Sequence, residues 1–395
     1  MATYIGIGFS QHIDAQTAAK DAGFESKTNL GADRIDIAIV FSTIHYNPSE
    51  TVPILRTILN QTKMIGCSTA GIILSNTIET RGVAVLTISS DELAFGISSV
   101  ENLDTQDALL SGNILARNAL NDFGSRNRHA FMYFVDGKLE SNSVLLKGIQ
   151  DIFGNVFPVL GAGSCDDFHF SSTFQVYLDN ILTNAATGLI IGGQTSIGIG
   201  CYHGWRPLGK PRIIDRAEGN AIHSIDDKKA SSIYEEYFGE QVDDLRSNQF
   251  DRMSILYPLG IYVDGSREYL LRNVTSIRED GSIICQGHVP EGSEVHIMIG
   301  NKDSCKQAAI QAAEDAKANL LGREAKLVMV FESMARLKLL GRAAHEETDS
   351  IRNTFGADIP IIGMYSNGEI CPFQTIEKFK KPHLLNGTIV VLAIS

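Results

Sequence analysis

The chain has 395 residues, 44% of them hydrophobic, and a formal charge of −12 from 34 Lys and Arg against 46 Asp and Glu. That length suffices for two domains, or one large domain with an insertion, and for a sizeable core. The acidic balance, with no Lys/Arg cluster to offset it, excludes general binding to nucleic acid or anionic membranes, because phosphates reward basic patches.

The amino terminus, M-A-T-Y-I-G-I-G-F-S, lacks the basic region and long apolar run of a secretory signal, and no apolar stretch approaches a membrane span. A cytoplasmic protein without membrane insertion is the expectation. Y-I-G-I-G-F-S (4–10) reads as a strand and is followed by an Ala-rich helix with Asp14 as N-cap. R-I-D-I-A-I-V-F-S (34–42) is the next strand, then a helix starting near Ser49 or Thr51, the strand K-M-I-G-C, and a closing strand at 82–88. The same order recurs. L-A-F-G-I-S-S-V (93–100) leads through a helix to H-A-F-M-Y-F-V-D (129–136), a second helix, F-P-V-L-G-A-G-S-C-D-D and T-G-L-I-I-G-G (187–193). A third pass is expected to start at E-V-H-I-M-I-G (294–300). It continues through an Ala-rich helix ending at Gly322, K-L-V-M-V-F-E-S, a helix from about Leu339 to Phe355, I-P-I-I-G-M-Y-S-N-G-E-I-C-P and a last apolar strand.

This alignment makes Gly66, Gly161 and Gly363 equivalent, and likewise Thr69, Ser164 and Ser366. Between the second and third copies, residues from about 194 to 293 break the pattern with several strands and the short helix A-S-S-I-Y-E-E-Y-F-G. The fold class is therefore α/β: layered mixed sheets flanked by helices, three related β-α-β-α-β-β units and a β-rich insertion. The expected domains are 1–220, holding two units, and 221–395, holding the β-rich segment and the third unit.

The glycine loops are tested for chemistry in turn. G-C-S-T-A-G is followed by Ile72 and Ile73 where a phosphate loop needs Lys and Ser or Thr, and G-M-Y-S-N-G is followed by Glu369, which repels phosphate. The nucleophile-elbow spacing is missing, since Ser68 has Ala70 two residues on and Ser366 has Met364 two before. Cys67 beside Ser68 reads either as a thiol or hydroxyl nucleophile needing a nearby base, or as a buried cysteine in a turn. Loops at the carboxyl ends of α/β strands form ligand rims, and their N–H groups hold small anions. On that basis Gly66, Cys67, Ser68, Thr69, Gly71 and Ser164 are candidate binding residues, with Tyr365, Ser366, Asn367 and Gly368 opposite. Arg336 and Glu369 read two ways, as holders of a ligand carboxylate and ammonium or as a mutual salt bridge.

The six cysteines and ten histidines are scattered, with neither C-x-x-C nor zinc spacing. A metal site is therefore unassigned. A haem on a non-covalent axial His, Tyr or Cys stays open, and the sequence selects no ligand for it.

G-C-S-T-A-G-I, I-D-D-K-K-A-S-S-I-Y-E-E-Y-F-G (225–239), Y-P-L-G-I (257–261), V-P-E-G-S-E-V (289–295), F-E-S-M-A-R (331–336) and G-M-Y-S-N-G-E-I (363–370) together resemble the FIST family, with its N and C parts covering nearly the whole chain. The resemblance implies a non-enzymatic sensory protein of intracellular signal transduction that binds a small ligand, amino acids having been proposed. With no room for an output domain, it implies a separate signalling partner such as a histidine kinase. Some members are similar to haem-binding nitric-oxide sensors that act on such a kinase, which is the alternative reading; a Cys or Ser hydrolase is the third. Members often carry Cys where this chain has Ser333, which weakens any role for a thiol there.

Overall fold

The computed structural model describes residues 2–125, 127–166, 171–239, 256–263, 268–373 and 381–395. The first unit is β1 (Thr3–Ser10), α1 (Ala15–Leu30), β2 (Ile37–Thr43), α2 (Pro48–Ile58), β3 (Met64–Thr69), β4 (Ile72–Leu74), β5 (Ile78–Glu79) and β6 (Val83–Ser90). The second is β7 (Leu93–Val100), α3 (Ala108–Phe123), β8 (Arg128–Asp136), α4 (Asn142–Phe153), β9 (Val159–Ser164), β10 (Gln175–Tyr177), β11 (Asn180–Leu182) and β12 (Ala186–Gly193). The third opens with β13 (Ile197–Tyr202). An added sheet intervenes: β14 (Trp205–Glu218), β15 (Ala221–Ile225), β16 (Lys228–Lys229), α5 (Ser232–Phe238), β17 (Leu259–Ile261), β18 (Leu270–Arg272), β19 (Val274–Ile277), β20 (Ile283–Cys285) and β21 (Glu294–Gly300). The third unit then resumes with α6 (Lys302–Asn319), β22 (Leu327–Ser333), α7 (Met334–Leu340), α8 (His345–Phe355), β23 (Ile361–Ser366), β24 (Glu369–Pro372), β25 (Pro382–Leu385) and β26 (Ile389–Ile394).

One expectation is corrected here. The segment 294–300 is β21, paired with β14 and β17 in the added sheet, whereas the third unit's edge strand is Ile197–Tyr202, paired with β26. The insertion therefore splits the third unit after its first strand instead of preceding it. Position 220 lies in the turn joining β14 to β15. The helix expected from Leu339 to Phe355 is also two helices, α7 and α8, separated by a 3₁₀ turn at Gly341–Ala343.

The three copies agree residue by residue. Val40 faces Gly66, Tyr133 faces Gly161 and Val330 faces Gly363 across their parallel pairs. The amides of Thr43, Asp136 and Ser333 bond the carbonyls of Gly82, Ala185 and Thr388 at 3.0, 3.0 and 2.9 Å. Gly6, Gly96 and Gly198 let the first helix of each unit lie directly on its first strand: an added Cβ would stand 2.0, 2.6 and 1.8 Å from the carbonyls of Ser26, Ala119 and Ala316. The last turn of that helix then covers the open strand edge. Asn29 donates to Ile7 O (2.8 Å), Asn319 to Ile199 O (3.0 Å), and Asp122 accepts from Ile97 N (2.7 Å). These contacts occupy groups that would otherwise recruit a further strand.

Each sheet is completed by strands from another unit. β10 and β11 of the second unit extend the first sheet beyond β3, β24 and β25 of the third extend the second beyond β9, and β4 and β5 of the first extend the third beyond β23. The exchange is cyclic. The inner faces of the three sheets pack on one another around Phe41, Phe134 and Phe331, with centroids 5.6 and 5.9 Å apart for the two successive pairs in edge-on geometry. Helices cover the outer faces. No helix among the described residues is long and apolar enough to cross a membrane.

Gly198→Ala is expected to destabilise the protein by about 1–3 kcal/mol or more, because the new methyl meets helix backbone that cannot move alone. Thermal unfolding checks this, and an unchanged midpoint would contradict the helix-on-strand contact.

Candidate functional site

The glycine loops do converge. Thr69 Oγ1 donates to Tyr365 O at 2.7 Å, and Tyr365 N to Gly71 O at 2.9 Å, joining the first and third units. Cys165 of the second unit reaches both others, its amide to Ser68 O (3.2 Å) and its thiol to Tyr365 O (3.0 Å). Asn367 N bonds Gly163 O at 2.9 Å, and Gly163 N bonds Gly368 O at 2.7 Å. Ser164 Oγ accepts from Gln175 at 2.6 Å.

These atoms are bonded to one another, and the side chains of Cys67, Ser68, Thr69, Ser164, Tyr365, Ser366 and Asn367 are all buried. Gly66 and Gly363 are required by close approach, since a Cβ at either would stand 2.1 Å from the neighbouring strand's carbonyl, while Gly368 has φ +95. Burial pushes the Cys67 thiol well above its ordinary range, and its sulfur rests 3.4 Å from Met364 Sδ. Such a thiol is not an activated nucleophile. Ser68 Oγ accepts from the Phe174 amide at 3.2 Å.

Arg336 lies in the first turn of α7, where Ser333 caps the helix. It is fully buried, and its guanidinium binds His203 O, Gly387 O (3.3 Å), Cys305 O (2.9 Å) and the Glu347 carboxylate, with Glu332 3.4 Å from Nε. Its carboxylate partners are Glu332 and Glu347 rather than Glu369. Glu369 accepts instead from Ser366 (2.7 Å) and from Thr388 N and Oγ1 (3.1 and 2.8 Å). The pair expected to receive a ligand's two charges is thus engaged inside the protein.

Burial opposes the Arg336 charge, yet Glu347, Cys305 and Glu332 more than offset it, so the guanidinium stays protonated. Burial, then the neighbouring Glu347, raises Glu332 well above the carboxylate range. Burial also pushes Glu369 up to about 7, against hydrogen bonds from Ser366 and Thr388. His203 sets Nε2 3.5 Å from Glu268, but burial lowers the imidazole to about 3 and raises Glu268 to about 7, so this contact does not join two full charges at neutral pH.

An open cleft lies beside this centre, at the carboxyl end of β8. It has a volume of ≈ 660 Å³ and is lined by Leu103, Asp104, Gln106, Ala108, Asp136, Lys138, Leu139, Glu140, Ser141 and Asn184, a size suited to a small ligand. The turn after β8 forms one wall. Asp136 Oδ1 accepts from Lys138 N at 3.0 Å, and Lys138 Nζ donates to Ser171 O at 3.0 Å. The carbonyl of Gly137, between those two residues, accepts from Asn367 Nδ2 (2.9 Å) in the third unit and from Gln286 Nε2 (3.4 Å) in the added sheet. None of these lining residues is among those expected from the sequence, although the cleft lies at the carboxyl end of a central strand. D-G-K after an apolar strand was the available signal.

Among the described residues no group of three His, Cys, Asp or Glu is arranged to hold a metal ion. His203 accepts the Trp205 amide on Nδ1 (2.9 Å) and faces Glu268, while His296 faces Glu294 (3.2 Å) and packs on Tyr269.

Residues 36–228 match the FIST N domain and residues 230–372 the FIST C domain. An uncharacterized protein of Methanocaldococcus jannaschii is 23% identical over 296 residues, 70% of this chain and 56% of that protein. The chain therefore spans little more than half the length of that curated relative. Among solved structures, cyanuric acid hydrolase from A. caulinodans is similar over 100% of this chain and 99% of its own, at 10% identity and a TM-score of 0.38. Phosphoribosylformylglycinamidine synthase II from Thermotoga maritima is similar over 99% of this chain and 72% of its own, at 11% identity and a TM-score of 0.24. Scores this low carry no argument about chemistry.

The raised carboxyls set a pH dependence. Each of Glu369, Glu332 and Glu268 keeps its proton in the folded state to higher pH than in the unfolded chain. Their contribution is thus fully present below about pH 4.5 and is lost as pH rises to the folded-state value, about 7 for Glu369 and Glu268, with Glu332 shifted in the same direction. His203 acts oppositely but only below its ordinary value of 6.5. The unfolding midpoint is expected to fall between about pH 4.5 and 7, and Glu369→Gln to shrink that fall. A flat wild-type profile over this range would contradict the assignment.

Proposed function

Because the chain belongs to the FIST family, carrying both its N and its C domain, we propose that it is a sensor that binds a small metabolite in the cleft at the carboxyl end of β8. FIST domains are sensory domains of signal transduction. The ligand is an amino acid or similar small metabolite, and the signal passes to a separate signalling protein such as a histidine kinase. The role is binding rather than catalysis, in keeping with the inert Cys67.

One observation carries the reading: the cleft wall is bonded to two other parts of the molecule through a single carbonyl, Gly137 O, which accepts from Asn367 and Gln286. Gln286 in turn accepts from Asn386 Nδ2 at 2.9 Å, and Asn386 accepts from Asn273 N at 3.1 Å. A ligand that favours one position of the Asp136–Glu140 turn therefore favours one arrangement of these amides. Its differential affinity for the two arrangements bounds how far it shifts them.

The test is a thermal-shift panel of free amino acids and related metabolites, followed by hydrogen exchange with any compound that binds. The expected result is at least one stabilising compound that slows exchange both at 136–140 and at 283–287. A panel without a binder, together with an unadorned native mass of freshly purified protein, would count against the reading. Protection at a different cleft would reject the assigned one.

A further inference from the structure

The three units present equivalent positions at the carboxyl ends of their central strands. Strand register aligns Ser42, Val135 and Glu332 with Val83, Ala186 and Ile389, so the residue two before each of the latter, Arg81, Asn184 and Gly387, holds the same place in its unit. In the third unit the carbonyl at this position accepts from a guanidinium carried on α7. Arg336 binds Gly387 O and His203 O and lies 5.9 Å over the Trp205 ring. In the first unit Arg81 stands there, 5.6 Å over the ring of Tyr46, the residue that follows β2 by three. In the second unit the position is Asn184, no arginine lines the place, and the space is the ≈ 660 Å³ cleft.

The chemistry of that lining matches the missing group. Asp104, Asp136 and Glu140 supply three carboxylates against the single ammonium of Lys138, which is bonded to Ser171 O. Asp136 is only 6% exposed, so its charge is poorly screened by solvent. Gln106 and Asn184 add neutral polar atoms. Carboxylates in a partly enclosed site favour a guanidinium or primary ammonium and disfavour an anion.

Building on the ligand-cleft reading above, we propose that the second-unit cleft is an open seat for a cationic group, receiving from a ligand the guanidinium or ammonium that Arg81 and Arg336 supply to the other two units. Neutral ligands of the same shape lack the charge-assisted contacts and bind more weakly.

The experiment is isothermal titration calorimetry with arginine against citrulline, in which a neutral ureido group replaces the guanidinium, and with lysine against norleucine. The expected result is that at least one cationic member binds about tenfold or more tightly than its neutral counterpart, and that Asp136→Asn with Glu140→Gln abolishes the difference. Asn184→Arg, which puts an arginine at the position Arg81 holds, is expected to abolish binding while the protein remains folded by circular dichroism. Equal binding of both members of each pair, or preference for an anionic ligand such as glutamate protected at residues 136–140, would overturn the cationic seat and leave the ligand cleft standing. Absence of binding by all of these and by the wider metabolite panel would overturn both.

Discussion

The whole architecture depends on the cyclic exchange of strands among three sheets. β3, β9 and β23 each end their own unit's four strands, and each is paired on its far side by a strand from a different unit. No sheet is complete without another unit, so the units are obliged to fold together. The exchange also explains the convergent loops: a chain that leaves β3, β9 or β23 to join a neighbouring sheet has to cross the common centre. The interlocking bonds among Ser68, Thr69, Gly163, Cys165, Tyr365 and Asn367 are those crossings.

That constraint separates the packed centre from the open cleft. At the crossings the side chains of Ser68, Thr69, Cys165, Tyr365 and Asn367 are buried, and Thr69, Cys165 and Asn367 bond to the neighbouring units. Arg336 is the extreme case. It fastens the end of β13, the start of α6, the turn into β26 and the helix α8 through one guanidinium. Removing one partner from such a group costs far more than the group's net contribution, because the remaining charges stay buried. The residue is a structural tie between strands that the added sheet separates in sequence by about a hundred positions, and this accounts for its complete burial better than ligand recognition does.

Much of the repeat was legible in the sequence. Gly66, Gly161 and Gly363 were aligned from the apolar strands that precede them, and strand register places them together, because only glycine fits where a Cβ would strike a neighbouring carbonyl. The start of the third unit was misassigned for an instructive reason. E-V-H-I-M-I-G has the alternation of any half-buried strand, whereas S-I-G-I-G-C-Y carries the informative feature, a Gly-Ile step matching I-G-I-G in β1 and F-G-I-S in β7. Periodicity finds a strand; only the small residue beneath the helix says which strand. The partners of Arg336 and the lining of the cleft were not legible. They come from segments far apart in sequence, and the cyclic exchange that unites them leaves no local pattern.

Threefold repetition gives three equivalent places, and the sequence has treated them differently. Arg81 lies half-buried over the Tyr46 ring, and Arg336, beside the Trp205 ring, is fully buried among backbone carbonyls and carboxylates. The copy that lacks one keeps its carboxylates and its volume. Of its three carboxylates Asp136 is buried and accepts from the Lys138 amide, while Asp104 and Glu140 are exposed. Acidity around an open space is the arrangement expected where positive charge is supplied from outside. The position of the Asp136–Lys138 turn, tied through Gly137 to both the third unit and the added sheet, then makes occupancy of that space an event the rest of the molecule can register.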